Sequence, residues 1–413
     1  MPTLIKRGLA LVAIILLFNV LWSYLWYLTD SSPNPEVRVA RPSFGALYES
    51  YIHHTRQLAD VEWHAGLVAN GYERLNSSEA GFDWSRQRNW AYFPLQPYLS
   101  RPFTWVGLSP ILALFVVSLI GGVALTLTCV GLVDRDGPVS DQTTRVALFM
   151  LVFVIPPLGW MTNFVVPATA IFVGAYVILR RILSQPQVVT TPLVLIAAVL
   201  LLACGLSRVQ GMVFSLAIVS AFVCAAMFSR QKRIKASTVC VLIASALLPI
   251  LIIPLIFQVV ANDPLAFQKI QAAWGRSISL PWKPVVDAFE SGSAVNFGNG
   301  TEFPFTLARI ALFVALALIG FRYIVVAMRK RTVESSLLVF DGCTVVIGLG
   351  LIAMPLMTST LMSAHRYMTC SAVLVAVALK LGWRPSWMLI SLLMLIRMGE
   401  VVLFSRGYLF LIW

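Results

Sequence analysis

The sequence predicts an all-α polytopic membrane protein with about eleven transmembrane helices and two large loops on one side of the bilayer. Hydrophobic residues make up 59% of the 413 residues and charged residues only 12%, whereas a typical globular domain carries roughly 25% charged residues. The mean hydropathy is +0.83, and the apolar residues gather in stretches close to the roughly 20 residues that a helix needs to cross a bilayer. These observations exclude an ordinary soluble enzyme, and residues 1–413 are predicted to form a single integral membrane domain.

The net charge of +13 comes from 31 Lys and Arg residues against 18 Asp and Glu residues. Most of the basic excess lies in short loops between apolar stretches, which is typical of the cytoplasmic loops that set the orientation of a membrane protein. We therefore expect the chain to contact membrane lipids and not nucleic acid.

The first apolar stretch, at residues 9–28, follows two basic residues and ends in an aromatic cluster at residues 22–27. Bulky interfacial aromatics favour a retained membrane helix over a cleaved signal peptide, which ends in small residues. A polar segment and ten further apolar stretches follow. The ten centres lie near Val117, Phe153, Val173, Ala198, Ala217, Leu248, Val314, Ile347, Val375 and Leu393.

The loops between these stretches separate by charge when they are assigned alternately to the two sides. One side collects the basic residues Lys6, Arg7, Arg180, Arg181, Arg230, Lys232, Arg233, Lys235, Arg329, Lys330, Arg331, Lys380 and Arg384. This side is predicted to be cytoplasmic. The other side then holds the first external loop at residues 30–101, the second external loop at residues 261–305, and short turns around Asn163, Arg208 and His365.

All six cysteines lie in apolar stretches: Cys129, Cys204, Cys224, Cys240, Cys343 and Cys370. None has a Cys or His neighbour at the spacing of zinc ligands, so neither a disulfide framework nor a metal site is predicted. We interpret the cysteines as small core side chains.

Residues 47–71 of the first external loop have helical character and carry several polar residues. Asp60 and His64 are spaced i and i+4, so they share one face of a helix. A metal site would need more ligands in a fixed geometry, and His53 and His54 point in different directions. A solvated helix face is the alternative interpretation for Asp60 and Glu62.

Local patterns in this loop resemble the PIG-V-like mannosyltransferases, whose first external loop reads approximately W-D-x-x-W-Y-x-x-I-A-x-x-G-Y and is followed by F-P-L-x-P. Asp60, Trp63, Gly71 and Tyr72 match the first pattern, whereas Ala59 and His64 depart from its aromatics. Residues 93–97, Phe-Pro-Leu-Gln-Pro, match the second pattern.

The resemblance continues in order along the chain from about residue 59 to residue 370. Residues 167–172 resemble the family's N-P-A-x-I-F segment, although Val166 replaces its Asn and residues 176–178 lack its Tyr-Ser-Glu glutamate. Further matches are Ser207-Arg208-Val209-Gln210-Gly211 with R-x-x-G, Trp274-Gly275-Arg276 with the second-loop W-G motif, and His365-Arg366-Tyr367 with the late P-R-Y motif. The departures indicate a divergent member.

The resemblance implies an integral membrane glycosyltransferase of the GT-C class, which moves a sugar from a polyprenyl or dolichyl phosphate to an acceptor hydroxyl with inversion. Such a displacement needs a carboxylate to take the hydroxyl proton, and Asp60 is the candidate, with Glu62 as a second choice. Arg208, Arg366 and Arg276 are candidates for holding the departing phosphate. Snorkelling of an arginine towards the membrane interface is the alternative for each.

The remaining candidates for substrate binding are Trp63, Tyr72, Trp274, His365 and Tyr367. The rings of Trp63, Tyr72, Trp274 and Trp282 would stack on a sugar or line a lipid groove, and a membrane-interface aromatic belt explains them equally well. No cofactor and no metal is predicted. The partners expected are the lipid-phosphate sugar donor and a lipid or glycan acceptor.

The preferred location is a bacterial cytoplasmic membrane, with the endoplasmic reticulum as the alternative and the catalytic face external or luminal. A transporter or flippase of a lipid-linked substrate is the alternative function. It would require ionisable residues deep in the spans, and its main candidates, Asp341 and Glu400, lie close enough to predicted span ends to be ordinary boundary residues.

Overall fold

The computed structural model describes the chain in several segments. They are residues 10–18, 20–21, 59–133, 141–154, 165–228, 234–274, 279–280, 282–283, 286, 302–330, 334–357 and 368–405. For some of these residues, including Asp60 and Trp274, only the backbone is described.

All regular structure in these segments is helical, which confirms the predicted all-α class. The α-helices are α1 Ala59–Asn70, α2 Leu95–Trp105, α3 Pro110–Gly131, α4 Asp141–Phe149, α5 Val165–Ser184, α6 Thr191–Ser207, α7 Val209–Met227, α8 Ala236–Ala261, α9 Ala266–Ile270, α10 Glu302–Lys330, α11 Ser335–Leu356, α12 Val373–Lys380 and α13 Trp387–Ser405. A π-helical segment, Met150–Val154, continues α4, and short 3₁₀ turns occur at Asn89–Ala91, Pro186–Val188, Gln271–Trp274 and Thr369–Ala372.

Among the described residues, six helices are long and apolar enough to cross a membrane, namely α3, α5, α7, α8, α10 and α11. Three shorter apolar helices, at Thr191–Ser207, Thr369–Lys380 and Trp387–Gly399, match three more of the predicted centres. The centre at Phe153 lies in the π-helical segment, and residues 10–18 and 20–21 of the first predicted span are helical. The total of eleven stays a prediction.

The main core lies where α5 packs against α3, α6 and α7. Phe172 of α5 stacks on Phe214 of α7 with their ring centroids 4.5 Å apart. At the crossing of α3 and α5, a Cβ atom built on Gly121 would come within 2.8 Å of the Pro167 Cα atom. A small residue is therefore needed there, as is common where membrane helices approach closely.

A buried ion pair connects α5 to α11. The Arg180 guanidinium donates to both carboxylate oxygens of Asp341, with an Nε to Oδ1 distance of 2.9 Å and an Nη2 to Oδ2 distance of 2.9 Å. The Tyr176 hydroxyl donates to Asp341 Oδ1 at 2.9 Å. The sequence prediction that Asp341 is an ordinary boundary residue is therefore wrong, because three donors from α5 satisfy a completely buried carboxylate.

All six cysteines are free. Cys129, Cys204 and Cys370 are buried, as predicted, but Cys224 and Cys240 are exposed on helix surfaces. The core interpretation is wrong for these two, because the outer surface of a membrane helix faces hydrocarbon and accepts a small apolar side chain without burial in the protein.

Candidate functional site

Helix α1 carries the predicted catalytic acid and packs along two of its faces. Val68 contacts Ala113 and Leu114 of α3 in one small cluster. Leu67, together with Trp63, joins a second cluster of mainly aromatic residues, which we call the aromatic cluster. Its buried members are Leu67, Tyr72, Trp90, Ala91, Tyr92, Phe93, Ile253, Phe257, Ala261, Ala266 and Ile270.

Gly71 follows the last residue of α1, and its backbone conformation favours glycine at this position. Its φ angle of +75° lies in the left-handed region, which a glycine adopts without strain. The turn aims Tyr72 into the aromatic cluster, where its hydroxyl donates to the Tyr92 carbonyl oxygen at 2.7 Å. Burial, with a smaller contribution from Tyr98, raises the pKa of Tyr72 well above its ordinary value, so this phenol stays neutral.

His64 and Trp63 both contact Tyr92. The His64 imidazole is buried and meets the Tyr92 ring edge-on at 4.8 Å between centroids, and the Trp63 ring stacks on the same tyrosine at 6.4 Å. No three His, Cys, Asp or Glu residues are grouped closely enough to hold a metal ion within the described part of the chain. Because His64 is buried against Tyr92 and belongs to no such group, we interpret it as part of the packed wall of the site.

Aromatic and basic side chains that the sequence reasoning missed build one wall of the site. Phe82 stacks on Trp90 at 5.8 Å with the rings nearly parallel. The Arg88 guanidinium lies 4.8 Å from the centroid of the Phe82 ring and bonds Glu73 at 3.3 Å. The Trp90 Nε1–H donates to the Glu73 carbonyl oxygen at 2.8 Å. The only sequence signal for this wall is that Arg88 lies close in the chain to Phe82 and Trp90. That spacing does not reveal which rings stack.

The first external loop is joined to the end of α8 by hydrogen bonds. The Leu75 amide donates to the Val260 carbonyl oxygen and the Ser77 amide to the Ala261 carbonyl oxygen, each at 2.9 Å. The Ser77 hydroxyl adds a third bond to Ala261 at 2.7 Å. The start of the second external loop therefore lies against the first.

Two acids at this end of the bundle are ionised at neutral pH. Hydrogen bonds from Ser85 lower the pKa of the exposed Asp83 carboxylate. Partial burial raises the pKa of Asp263, but hydrogen bonds from Lys269 and the Leu265 amide outweigh it, so that the net pKa lies below its usual range. Neither carboxylate has the raised pKa that would suit a general acid.

Arg208 separates α6 from α7. Its backbone is extended, with φ −179° and ψ 169°, and its side chain is buried with Nη1 3.4 Å from the Cys370 sulfur. A Cβ atom on Gly211 would overlap the Cys204 carbonyl oxygen. The R-x-x-G pattern thus has a local structural reason, because only a glycine lets α7 start this close to the last turn of α6.

The Arg208 turn also reaches the aromatic cluster. Leu206 and Met212, on either side of Arg208, pack against the same cluster as Trp63. A neighbouring apolar cavity of about 410 Å³ lies between α2, Leu206 and α8. Residues lining it include Pro94 and Leu95 of the Phe-Pro-Leu-Gln-Pro motif and Tyr98.

Several predicted site residues fall outside what the structure describes. Arg276, His365, Arg366 and Tyr367 are among the residues left out, and Trp274 is described only as the last residue of a 3₁₀ turn. Glu62 is exposed. Trp63 and Tyr72 thus pack in one cluster with Leu206 and Met212, the residues on either side of Arg208. The roles of all the predicted site residues stay predictions.

Comparison with solved structures finds similarity to the oligosaccharyltransferase of the archaeon Archaeoglobus fulgidus. Its apo crystal structure shares 12% sequence identity at a TM-score of 0.48, over 97% of this chain and 56% of that one. Its complex with an inhibitory peptide and a dolichol-phosphate shares 13% identity at a TM-score of 0.40, over 97% of this chain and 55% of that one.

This chain therefore spans just over half the length of these structures. No family model and no curated protein matches it. Such distant likeness does not assign the chain to a family, and membership of the PIG-V-like mannosyltransferases stays a prediction.

Proposed function

We propose that the protein is an integral membrane glycosyltransferase that moves a hexose, mannose in the first instance, from a polyprenyl or dolichyl phosphate to a hydroxyl of a lipid or glycan acceptor. The observation that carries this proposal is the shared packing of two distant segments. Trp63 of α1 and Leu206 and Met212 beside Arg208 contact one aromatic cluster, so a carboxylate-bearing helix and a guanidinium-bearing turn border the same region.

Helix register favours Asp60 over Glu62 as the general base. Asp60 precedes Trp63 by three positions, His64 by four and Leu67 by seven, so these positions share one face of α1. Trp63 and Leu67 pack in the aromatic cluster and His64 contacts its member Tyr92, whereas Glu62 is exposed on another face. In the proposed step Asp60 takes the acceptor hydroxyl proton as the oxygen attacks the anomeric carbon from the side opposite the phosphate.

The departing phosphate keeps the electron pair of the broken bond between the anomeric carbon and oxygen, and it needs cations to stabilise its charge. Arg208 is assigned this role because guanidinium pairs bidentately with phosphate oxygens. Arg366 is the second candidate. It precedes Cys370, the residue that Arg208 contacts, by four positions in the sequence. Arg276 remains a third candidate in the second external loop.

The cavity of about 410 Å³ beside Leu206 suits the isoprenoid part of the donor. It is lined by apolar side chains and lies against the turn that presents Arg208. A lipid phosphate has the same arrangement of a charged head next to a hydrocarbon tail. Trp63, half-buried at the edge of the cluster, is the candidate for stacking on the sugar, while Tyr72 shapes the wall.

The experiment is sugar transfer from a radiolabelled polyprenyl-phosphate mannose by the purified full chain. Asp60→Asn is expected to reduce the transfer rate at least about a hundredfold, since it removes the general base without changing the shape of the side chain. Asp83→Asn is the matched control, because it removes an exposed carboxylate from the same loop and is expected to keep wild-type turnover. Normal transfer by a folded Asp60→Asn variant would remove Asp60 from the base role.

Donor binding is tested separately through the arginines. Arg208→Ala and Arg366→Ala are expected to weaken donor affinity at least about tenfold, the loss of one hydrogen bond to a charged group. Unchanged donor affinity in both variants would contradict the phosphate assignment.

A transporter or flippase of a lipid-linked substrate is the second candidate, and the buried Asp341 carboxylate is the observation that favours it. Its pairing with Arg180 gives the carboxylate a structural explanation as well. Movement of the labelled donor across sealed vesicles without any transfer product would favour the transporter.

A further inference from the structure

Helix α2 has an apolar outer surface, although the helix is too short to cross a membrane. Its 11 residues rise about 16 Å, which is half of a typical hydrocarbon core. Tyr98 and Leu99 are 45% and 47% exposed, and Trp105 and the next residue, Val106, are each 77% exposed. Pro102 is also exposed. We call these five residues the outer face of α2.

The helical members of the outer face lie side by side. Tyr98, Leu99, Pro102 and Trp105 are spaced i, i+1, i+4 and i+7, so they lie within an arc of about 120° around the helix axis. The sequence of α2 contains no acidic residue, and its one basic residue, Arg101, is half-buried. The outer face therefore has the composition of a surface that contacts hydrocarbon.

The opposite side of α2 packs against the protein and carries polar side chains. Gln96 and Ser100 are 4% and 0% exposed. Gln96 donates from Nε2 to the Ser118 hydroxyl of α3 at 3.0 Å, and the Ser100 hydroxyl donates to the Gln96 carbonyl oxygen at 2.9 Å. A helix between a protein core and water has the reverse arrangement, with its polar residues outside. The inverted arrangement indicates that an apolar medium covers the outer face.

The chain connects the end of α2 directly to a helix that is long and apolar enough to cross a membrane. Residues 106–109 alone separate Trp105 from Pro110, the first residue of α3, so the Cα atoms of these two residues are at most about 18 Å apart. The Leu108 amide donates to the Phe103 carbonyl oxygen at 3.2 Å, which folds the connection into a turn. Trp105 therefore lies near the level at which α3 enters the bilayer.

Membrane lipid is the occupant that these observations select for the outer face. Tryptophan and tyrosine are the residues enriched at membrane interfaces, and the outer face contains one of each. A large exposed apolar patch marks a contact with protein or with membrane. Lipid is favoured here because the face adjoins the start of a membrane-spanning helix, where lipid is present at every moment.

We propose that α2 lies in the membrane interface, with its outer face inserted into the lipid. An interfacial helix of this kind buries its apolar face about 5–10 Å into the boundary between headgroups and acyl chains. Tyr98 and Leu99 also line the cavity of about 410 Å³ beside Leu206, so lipid borders that cavity. This proposal does not rest on the transferase activity, and it stands even if the sugar-transfer experiment fails.

The first test is fluorine NMR of the full chain, labelled with fluorotryptophan, in lipid nanodiscs that hold one copy each. Trp105→Phe identifies the Trp105 signal. Trp84→Phe identifies the control signal of Trp84, a partly exposed ring beside the exposed, charged Asp83 and Arg86. Phosphatidylcholine with a nitroxide near the top of its acyl chain is expected to abolish the Trp105 signal, and a water-soluble gadolinium chelate is expected to leave most of its intensity. The chelate should reduce the Trp84 signal more than the Trp105 signal.

A lipid photocrosslink tests the same contact without any variant. Phosphatidylcholine with a diazirine near the top of its acyl chain is irradiated in the same nanodiscs, and the crosslinked residues are mapped by mass spectrometry. We expect label on the outer face of α2 and none on the buried Gln96 and Ser100.

The proposal is overturned if the Trp105 signal loses more intensity to the chelate than to the nitroxide lipid, or if the outer face carries no crosslinked lipid. Cover of α2 by residues 30–58 of the same chain would give the second of these results. Cover by a second copy would give the first, because a single copy in a nanodisc would then expose Trp105 to water.

Discussion

Replacing Asp341 by asparagine tests the buried charge pair that connects α5 to α11. The carboxylate is fully buried and accepts hydrogen bonds from Tyr176 and from two nitrogens of Arg180, each at 2.9 Å. Asp341→Asn keeps the shape of the side chain but leaves the Arg180 guanidinium buried without a counter-charge. Breaking a buried pair in this way costs about 3–5 kcal/mol, and we expect a loss of that size in the free energy of unfolding.

The assay is an SDS titration in mixed micelles, with helix content followed by circular dichroism. Asp141→Asn is the matched control, because Asp141 is 58% exposed in its pair with Arg145, and it should cost less than about 1 kcal/mol. The double variant Arg180→Met with Asp341→Leu should recover most of the loss, since replacing both charges removes the desolvation penalty. Equal stability of Asp341→Asn and the wild type would refute this explanation.

Gly211→Ala should destabilise the protein by about 1–3 kcal/mol, because the added Cβ atom would overlap the Cys204 carbonyl oxygen and force the α6–α7 turn apart; the same SDS titration measures it. Gly66→Ala is its control, since a Cβ atom meets nothing within 4 Å there and alanine in a helix interior should add about 0.5–1 kcal/mol. Tyr72→Phe should cost about 0.5–1.5 kcal/mol by removing the hydrogen bond to Tyr92. Because burial raises the Tyr72 pKa, its contribution is complete below the ordinary tyrosine pKa of about 10 and declines as the pH rises above it. Unfolding curves from pH 8 to 11 should therefore fall more steeply for the wild type than for Tyr72→Phe, and parallel curves would contradict the assignment.

The membrane helices were predictable because their signal is local. Length and apolarity alone identify α3, α5, α7, α8, α10 and α11, since a helix must satisfy its own backbone hydrogen bonds in hydrocarbon. The segment around Phe153 was harder to predict. There the short helix α4 continues as a π-helical segment. The apolar sequence of that segment does not distinguish π-helical from α-helical hydrogen bonding.

Charge pairs across the bundle were not predictable in the same way. Asp341 appeared to be a boundary residue because its partner Arg180 lies 161 positions away and carries no local signal of the pairing. The sequence singled out Trp63, Tyr72 and Arg208, whose roles stay predictions. It did not reveal the contacts among Phe82, Arg88 and Trp90, because ring geometry depends on tertiary packing.

The hydrogen bonds from Leu75 and Ser77 to Val260 and Ala261 have a consequence for biosynthesis. Ser77 and Ala261 are separated by 184 positions, and helices α2 to α8 lie between them. A ribosome must therefore translate all of that sequence before the two segments can meet. Until then Trp90 and Tyr92 have no α8 residues to cover them, and a chain truncated before residue 250 should expose aromatic surface to chaperones and proteases.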